Sequence, residues 1–112
     1  MLATLYNVFT DRAGLNQFSF ANDDLHRRIN VAISTQHNVN LPYYVLDPIP
    51  TNDGLRAWLR RHQDIHNQMD QLLGIVGNDL SDVDFNRPEQ IASWVWLHAQ
   101  EHFQANLKLG IG

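Results

Sequence analysis

The chain has 112 residues, a net charge of −4 and no cysteine, with 44% hydrophobic and 18% charged residues. That length predicts one domain, and that balance predicts a globular chain. The acidic charge argues against a nucleic-acid-binding face, the missing cysteines exclude disulfides, thiol catalysis and Cys-based zinc sites, and no apolar run approaches the ~18 residues of a membrane span.

Residues 1–52 read as extended N-terminal segments with one helix and an apolar arm. Met1 to Leu5 lacks the basic and apolar regions of a signal peptide, so none is expected. Residues 1–21 fit either a helix through Leu2, Leu5, Phe9 and Ala13 that stops at Gly14 or a hairpin turning at Asp11 to Gly14. The β-formers Tyr6, Val8, Phe9, Phe18 and Phe20 favour the hairpin. Residues 23–35 then predict a helix, capped by Asn22, with Leu25, Ile29, Ala32 and Ile33 on one face. His26 lies beside that face and reads as a surface or boundary residue without a role. Residues 37–52 hold Pro42, Pro48 and Pro50, which deny backbone donors and predict an irregular arm. Its apolar side chains must lie against protein, either this domain or a neighbouring subunit, with Tyr43 and Tyr44 as candidate contacts.

Residues 53–112 carry a repeat. A shift of 36 places Trp58 on Trp94, His62 on His98, His66 on His102 and Leu73-Gly74-Ile75 on Leu109-Gly110-Ile111. The recurring frame is W-x3-H-x3-H followed by L-G-I. Leu55, Leu59, His62, His66, Met69 and Leu73 form a helical seam, and Ile91, Val95, His98, His102, Ala105 and Leu109 repeat it. Gly74 and Gly110 are expected to cap the two helices in the left-handed conformation. Asn86 and Glu89, around Pro88, read as the cap of the second helix. The expected fold is therefore mainly α: a duplicated antiparallel helical hairpin plus one preceding helix and extended N-terminal segments, all in one domain.

Antiparallel pairing sets His62 against His102 and His66 against His98, so these histidines converge. They can form a hydrogen-bonded seam stacked on Trp58 and Trp94, or they can bind metal. In the metal reading His62, His66, His98 and His102 enclose zinc tetrahedrally, with nickel or copper as alternatives and Glu101 as an acceptor behind His102. No nucleophile, carboxylate pair or phosphate loop accompanies them, which disfavours an enzyme. Trp96 points away from the seam, toward the N-terminal segments or a partner.

The frame Trp58-x3-His62-x3-His66, Leu73-Gly74-Ile75, Asp79-Leu80-Ser81, Trp94-x3-His98-x3-His102 and Leu109-Gly110-Ile111 resembles small proteins encoded among the structural genes of tailed bacteriophages. The resemblance covers roughly the C-terminal half. It implies a non-enzymatic virion protein (neck, head-decoration or tail-associated), made in the host cytoplasm. Its partners would be other virion proteins or copies of itself, with no cofactor, nucleic acid or membrane. The second expectation is a small metal-binding helical protein using the four seam histidines.

Overall fold

The computed structural model describes Phe9 and residues 12–112. It contains helices α1 (Arg12–His37), α2 (Asn52–Leu73) and α3 (Pro88–Leu109), and no strand among the described residues. The mainly α expectation holds. The hairpin reading of residues 1–21 does not hold over 12–21, which belong to α1; apart from Phe9, the first strand of that hairpin lies outside the described residues. Leu15, Asn22, His26, Ile29 and Ile33 all turn inward from α1. Helical spacing of the buried positions, beginning at Leu15, outweighs the β preference of Phe18 and Phe20 because burial, not propensity, decides the element.

The three helices run in the same direction, which corrects the antiparallel expectation. Leu15, Leu55, Trp58, Ile91 and Trp94, all in the N-terminal halves of their helices, share one apolar cluster with Phe9. Ile29, Ile33, Met69, Leu73, Ala105 and Leu109, all from C-terminal halves, share the other. Gln36 of α1 donates to the Leu109 carbonyl at 2.8 Å, joining two C-terminal ends. A 22-residue helix is about 33 Å long, and a 14-residue link spans up to about 46–50 Å, so each link can return along the bundle. The links do return. Leu46, Leu80 and Val83 are buried in the N-terminal cluster, and Trp58 Nε1 and Trp94 Nε1 donate to the carbonyls of Tyr44 and Leu80, each at 2.9 Å.

These paired anchors belong to a repeat that occurs three times, once per helix. The shift of 36 relates Asn22, Trp58 and Trp94; His26, His62 and His98; Asn30, His66 and His102; and Ile33, Met69 and Ala105. It also relates the helix ends. Asn38, Gly74 and Gly110 have φ of 56°, 70° and 69°, the last two as expected for glycine C-caps. Their N–H groups donate to the carbonyls of Ser34, Asp70 and Asn106, again 36 apart. Asparagine is the residue that best replaces glycine in the left-handed region. At the other end α2 is capped by Thr51, whose hydroxyl accepts from Gly54 N at 3.0 Å. Helix α3 has Arg87 at its N-cap with no side-chain cap bond and Pro88 in its first turn, so the expected Asn86–Glu89 cap is not formed.

Candidate metal centre

Between the two apolar clusters the bundle axis is polar. His26 from α1, His62 and His66 from α2, and His98 and His102 from α3 are all buried there. One ring nitrogen from each of these five lies within 4.8 Å of all the others. The Nε2 atoms of His26 and His62 are 3.1 Å apart, and those of His98 and His102 are 3.0 Å apart. Ring centroids of His62 and His98, of His66 and His98, and of His66 and His102 are each 5.0 Å apart. The structure thus brings together the four histidines singled out by the repeat. Parallel helices replace the expected His62–His102 pairing with His62–His98 and His66–His102, while His66–His98 is found as expected.

His26 is the residue that sequence reasoning missed. It is 0% exposed, and its ring lies 4.6 Å from that of His102 and 5.1 Å from that of His66. Shifting His26 by 36 gives His62, a signal present in the sequence.

Local packing fixes the rings. Trp58 stacks on His62 at 4.6 Å, and Trp94 stacks on His98 at 4.8 Å. The two tryptophans have the equivalent environments the repeat demands, although the relation is one step of a threefold repeat. Tyr43 of the arm stacks on His26 at 5.1 Å, and its hydroxyl bonds to Asn22 and Asp23. Tyr43 is therefore engaged by its own domain. Tyr44 is 42% exposed beside Arg61, and Trp96 is 62% exposed on the outer side of α3.

Four of the five rings are electrically arranged to stay neutral. Burial first, then the neighbouring imidazoles, hold His26, His62 and His98 well below the ordinary histidine value. The same causes, opposed by Glu101, bring His102 down to about 3. Neutral imidazole is the form that ligates metal. Glu101 is 1% exposed, and its Oε1 lies 3.2 Å from His66 Nδ1. Burial pushes Glu101 upward, but hydrogen bonds from His66, Asp70 and Asn78 N outweigh it and hold the carboxyl at about 2. Asp70 is raised to about 8, by burial and then by Glu101, so it keeps its proton and donates to that carboxylate. A carboxylate can only accept, so His66 Nδ1 carries a proton toward Glu101, and in the neutral ring that metal binding requires His66 Nε2 is the free lone pair. That Nε2 is buried and has no partner, as are His26 Nδ1, His62 Nδ1 and His102 Nδ1.

Chemically, the arrangement can hold a metal ion: buried neutral nitrogens converge from all three helices, and a carboxylate orients one ligand from behind. Comparison of the chain with protein-family models, with curated proteins and with solved structures finds no match. No helix among the described residues is long and apolar enough to cross a membrane.

Proposed function

We propose that this chain is a metal-binding protein, in which His26, His62, His66, His98 and His102 hold one transition-metal ion on the bundle axis. The observation that carries this reading is the convergence of five ring nitrogens within 4.8 Å, one of them an unpartnered buried lone pair aimed by Glu101. A purely hydrogen-bonded core gains nothing from that lone pair, because a buried acceptor without a partner costs about 1–3 kcal/mol. Five nitrogen donors also exceed the four of a closed tetrahedral zinc site, so the set favours an ion that takes five or six ligands, such as nickel, cobalt or iron. The ion would tie the three parallel helices together at mid-length and so add to the stability of the fold.

The test uses untagged protein melted at neutral pH as purified, after chelator treatment, and after reloading with nickel. The reading requires chelator to lower the melting temperature and nickel to restore it, with both effects smaller at the same nickel concentration in His62→Ala and His98→Ala. Identical melting of the wild type in all three states refutes it.

A second reading, an interaction subunit of a tailed-phage particle, is supported by the motif resemblance and by an apolar stripe on α3. Trp96, Phe103 and Leu107 are each more than half exposed and fall on one helical face. Sedimentation at low concentration tests it: a strict monomer that ignores Trp96→Ser counts against self-association.

A further inference from the structure

The threefold repeat defines six equivalent positions, two per helix and one helical turn apart. His26, His62 and His98 hold the first set, and Asn30, His66 and His102 the second; the five histidines converge, with the His26 ring closer to His102, at 4.6 Å, than to His98, at 6.3 Å. Six such positions on three helices can supply the donors of a six-coordinate ion. The observed Nε2–Nε2 separations of 3.1 and 3.0 Å suit it, since adjacent donors at about 2.1 Å from an octahedral ion lie about 3.0 Å apart. Five of the six positions are imidazoles. The sixth belongs to Asn30.

Asn30 is a poor substitute for the histidines at its equivalent positions. Its amide oxygen is one bond nearer the backbone than a histidine Nε2, so it stops an atom short of the place that His66 Nε2 and His102 Nε2 reach. Its Oδ1 is buried and has no hydrogen-bond partner, while its Nδ2 donates to the Leu41 carbonyl at 3.4 Å. On its other side Asn30 lines a surface cavity of about 570 Å³ between α1 and the first arm, together with Asp23, Arg27, Ser34, Asn40 and Tyr43. Tyr43 faces both ways as well, since its ring stacks on His26. The one position where the repeat lacks a histidine thus borders an opening, and the residue that holds it carries an unpartnered buried polar atom.

Resting on the metal-binding reading above, we infer that the sixth coordination position, on the α1 side at Asn30, is left to an exogenous small donor ligand. Water or hydroxide occupies it at rest, hydrogen-bonding to Asn30 Oδ1, and small anions reach it through the cavity. The centre is then an open one that exchanges a ligand, not a sealed structural clip.

The experiment loads the full chain with cobalt(II), whose visible absorption reports its ligands, and titrates it with azide. Cobalt content is measured on the same samples. The wild type is expected to hold one cobalt per chain and to change its spectrum saturably with azide. Asn30→His, which supplies the sixth imidazole, should keep its cobalt and lose the azide response. Asn30→Ala, which leaves the position open, should keep both cobalt and response, and it decides the matter even where Asn30→His does not fold. A cobalt-loaded wild type that ignores azide overturns the inference while leaving the metal site standing. So does an Asn30→His chain that responds like the wild type, or an Asn30→Ala chain that keeps cobalt but loses the response. A wild type that binds no cobalt refutes the metal-binding reading itself, and this inference with it.

Discussion

Glu101→Gln separates an ion-orienting role for the carboxylate from a merely structural one. The substitution keeps the shape of the side chain and removes its charge. Glu101 accepts from His66 Nδ1 at 3.2 Å and from Asn78 N at 3.0 Å, and it takes a proton-sharing bond from Asp70. Hydrogen bonds to a charged group contribute about 1.5–3 kcal/mol, against about 0.5–1.5 for neutral ones, so weakening two or three of them costs the metal-free fold about 1–3 kcal/mol. A chain of 112 residues unfolds with an entropy near 0.24 kcal/mol/K, so the melting temperature should fall by about 4–12 °C. Metal binding should suffer separately. Loss of the partner behind a ligating histidine typically lowers affinity about 10–100-fold, because the ring is less basic and less fixed. Thermal melts with and without chelator, together with competition titration against a chromophoric chelator, read both effects. A variant that melts lower yet binds nickel as tightly as the wild type would refute the view that Glu101 aims His66 at an ion.

Replacing Gly74 with Ala puts a side chain on a φ of 70° and should destabilise by about 1 kcal/mol in urea melts, whereas a neutral result would contradict its capping role. A Cβ at Gly77 would collide with Asp70 Oδ2 and crowd Glu101 Oε1 at 3.3 Å. Gly77→Ala should therefore weaken metal binding in the direction of Glu101→Gln, and unchanged affinity would show that Asp70 does not support the carboxylate. For the metal-free chain, pH acts in two directions. His26, His62, His98 and His102 have folded values below the unfolded ~6.5, so their contribution is full above that pH and is lost as pH falls toward their folded values. Asp70 is raised to about 8, so its contribution is present at acid pH and is lost as pH rises through 8. Chelator-treated protein should be most stable near pH ~6.5, falling steeply below it and gently above it. A urea midpoint that rises between pH 6 and 4.5 would contradict the burial of four neutral imidazoles.

Helices α2 and α3 are legible in the sequence because each keeps the full W-x3-H-x3-H frame and a glycine stop. Helix α1 keeps only fragments of it. Asn22 stands in the tryptophan position, Asn30 in that of the second histidine, and Asn38 in that of the glycine, leaving His26 as the one identical landmark. A single histidine beside an apolar helical face carries little information until the spacing of 36 is tried a third time. Chain direction was hidden for a different reason. The 14 residues from Gly74 to Arg87 can either close a turn or travel the length of a helix, and local composition does not distinguish these. What decides is the burial of Leu80 and Val83 against the N-terminal cluster, which is a tertiary fact. The error in direction left the site standing, since the histidines sit midway along each helix and converge whichever way the helices run. It did change which imidazoles face each other, and it hid the place of Asn30.

The proposed site holds one ion per chain on five buried imidazoles. Its most direct measurement is a calorimetric titration of chelator-stripped, untagged protein with nickel(II) at pH 7.5, run beside His26→Ala. A single saturable event with one ion per chain is expected for the wild type. With His26 as one of the ligands, the variant should bind at least about tenfold more weakly, equivalent to 1.4 kcal/mol or more. Absence of a saturable event in the wild type would contradict the claim outright, and equal affinity in His26→Ala would exclude the fifth ligand that the three-helix frame supplies.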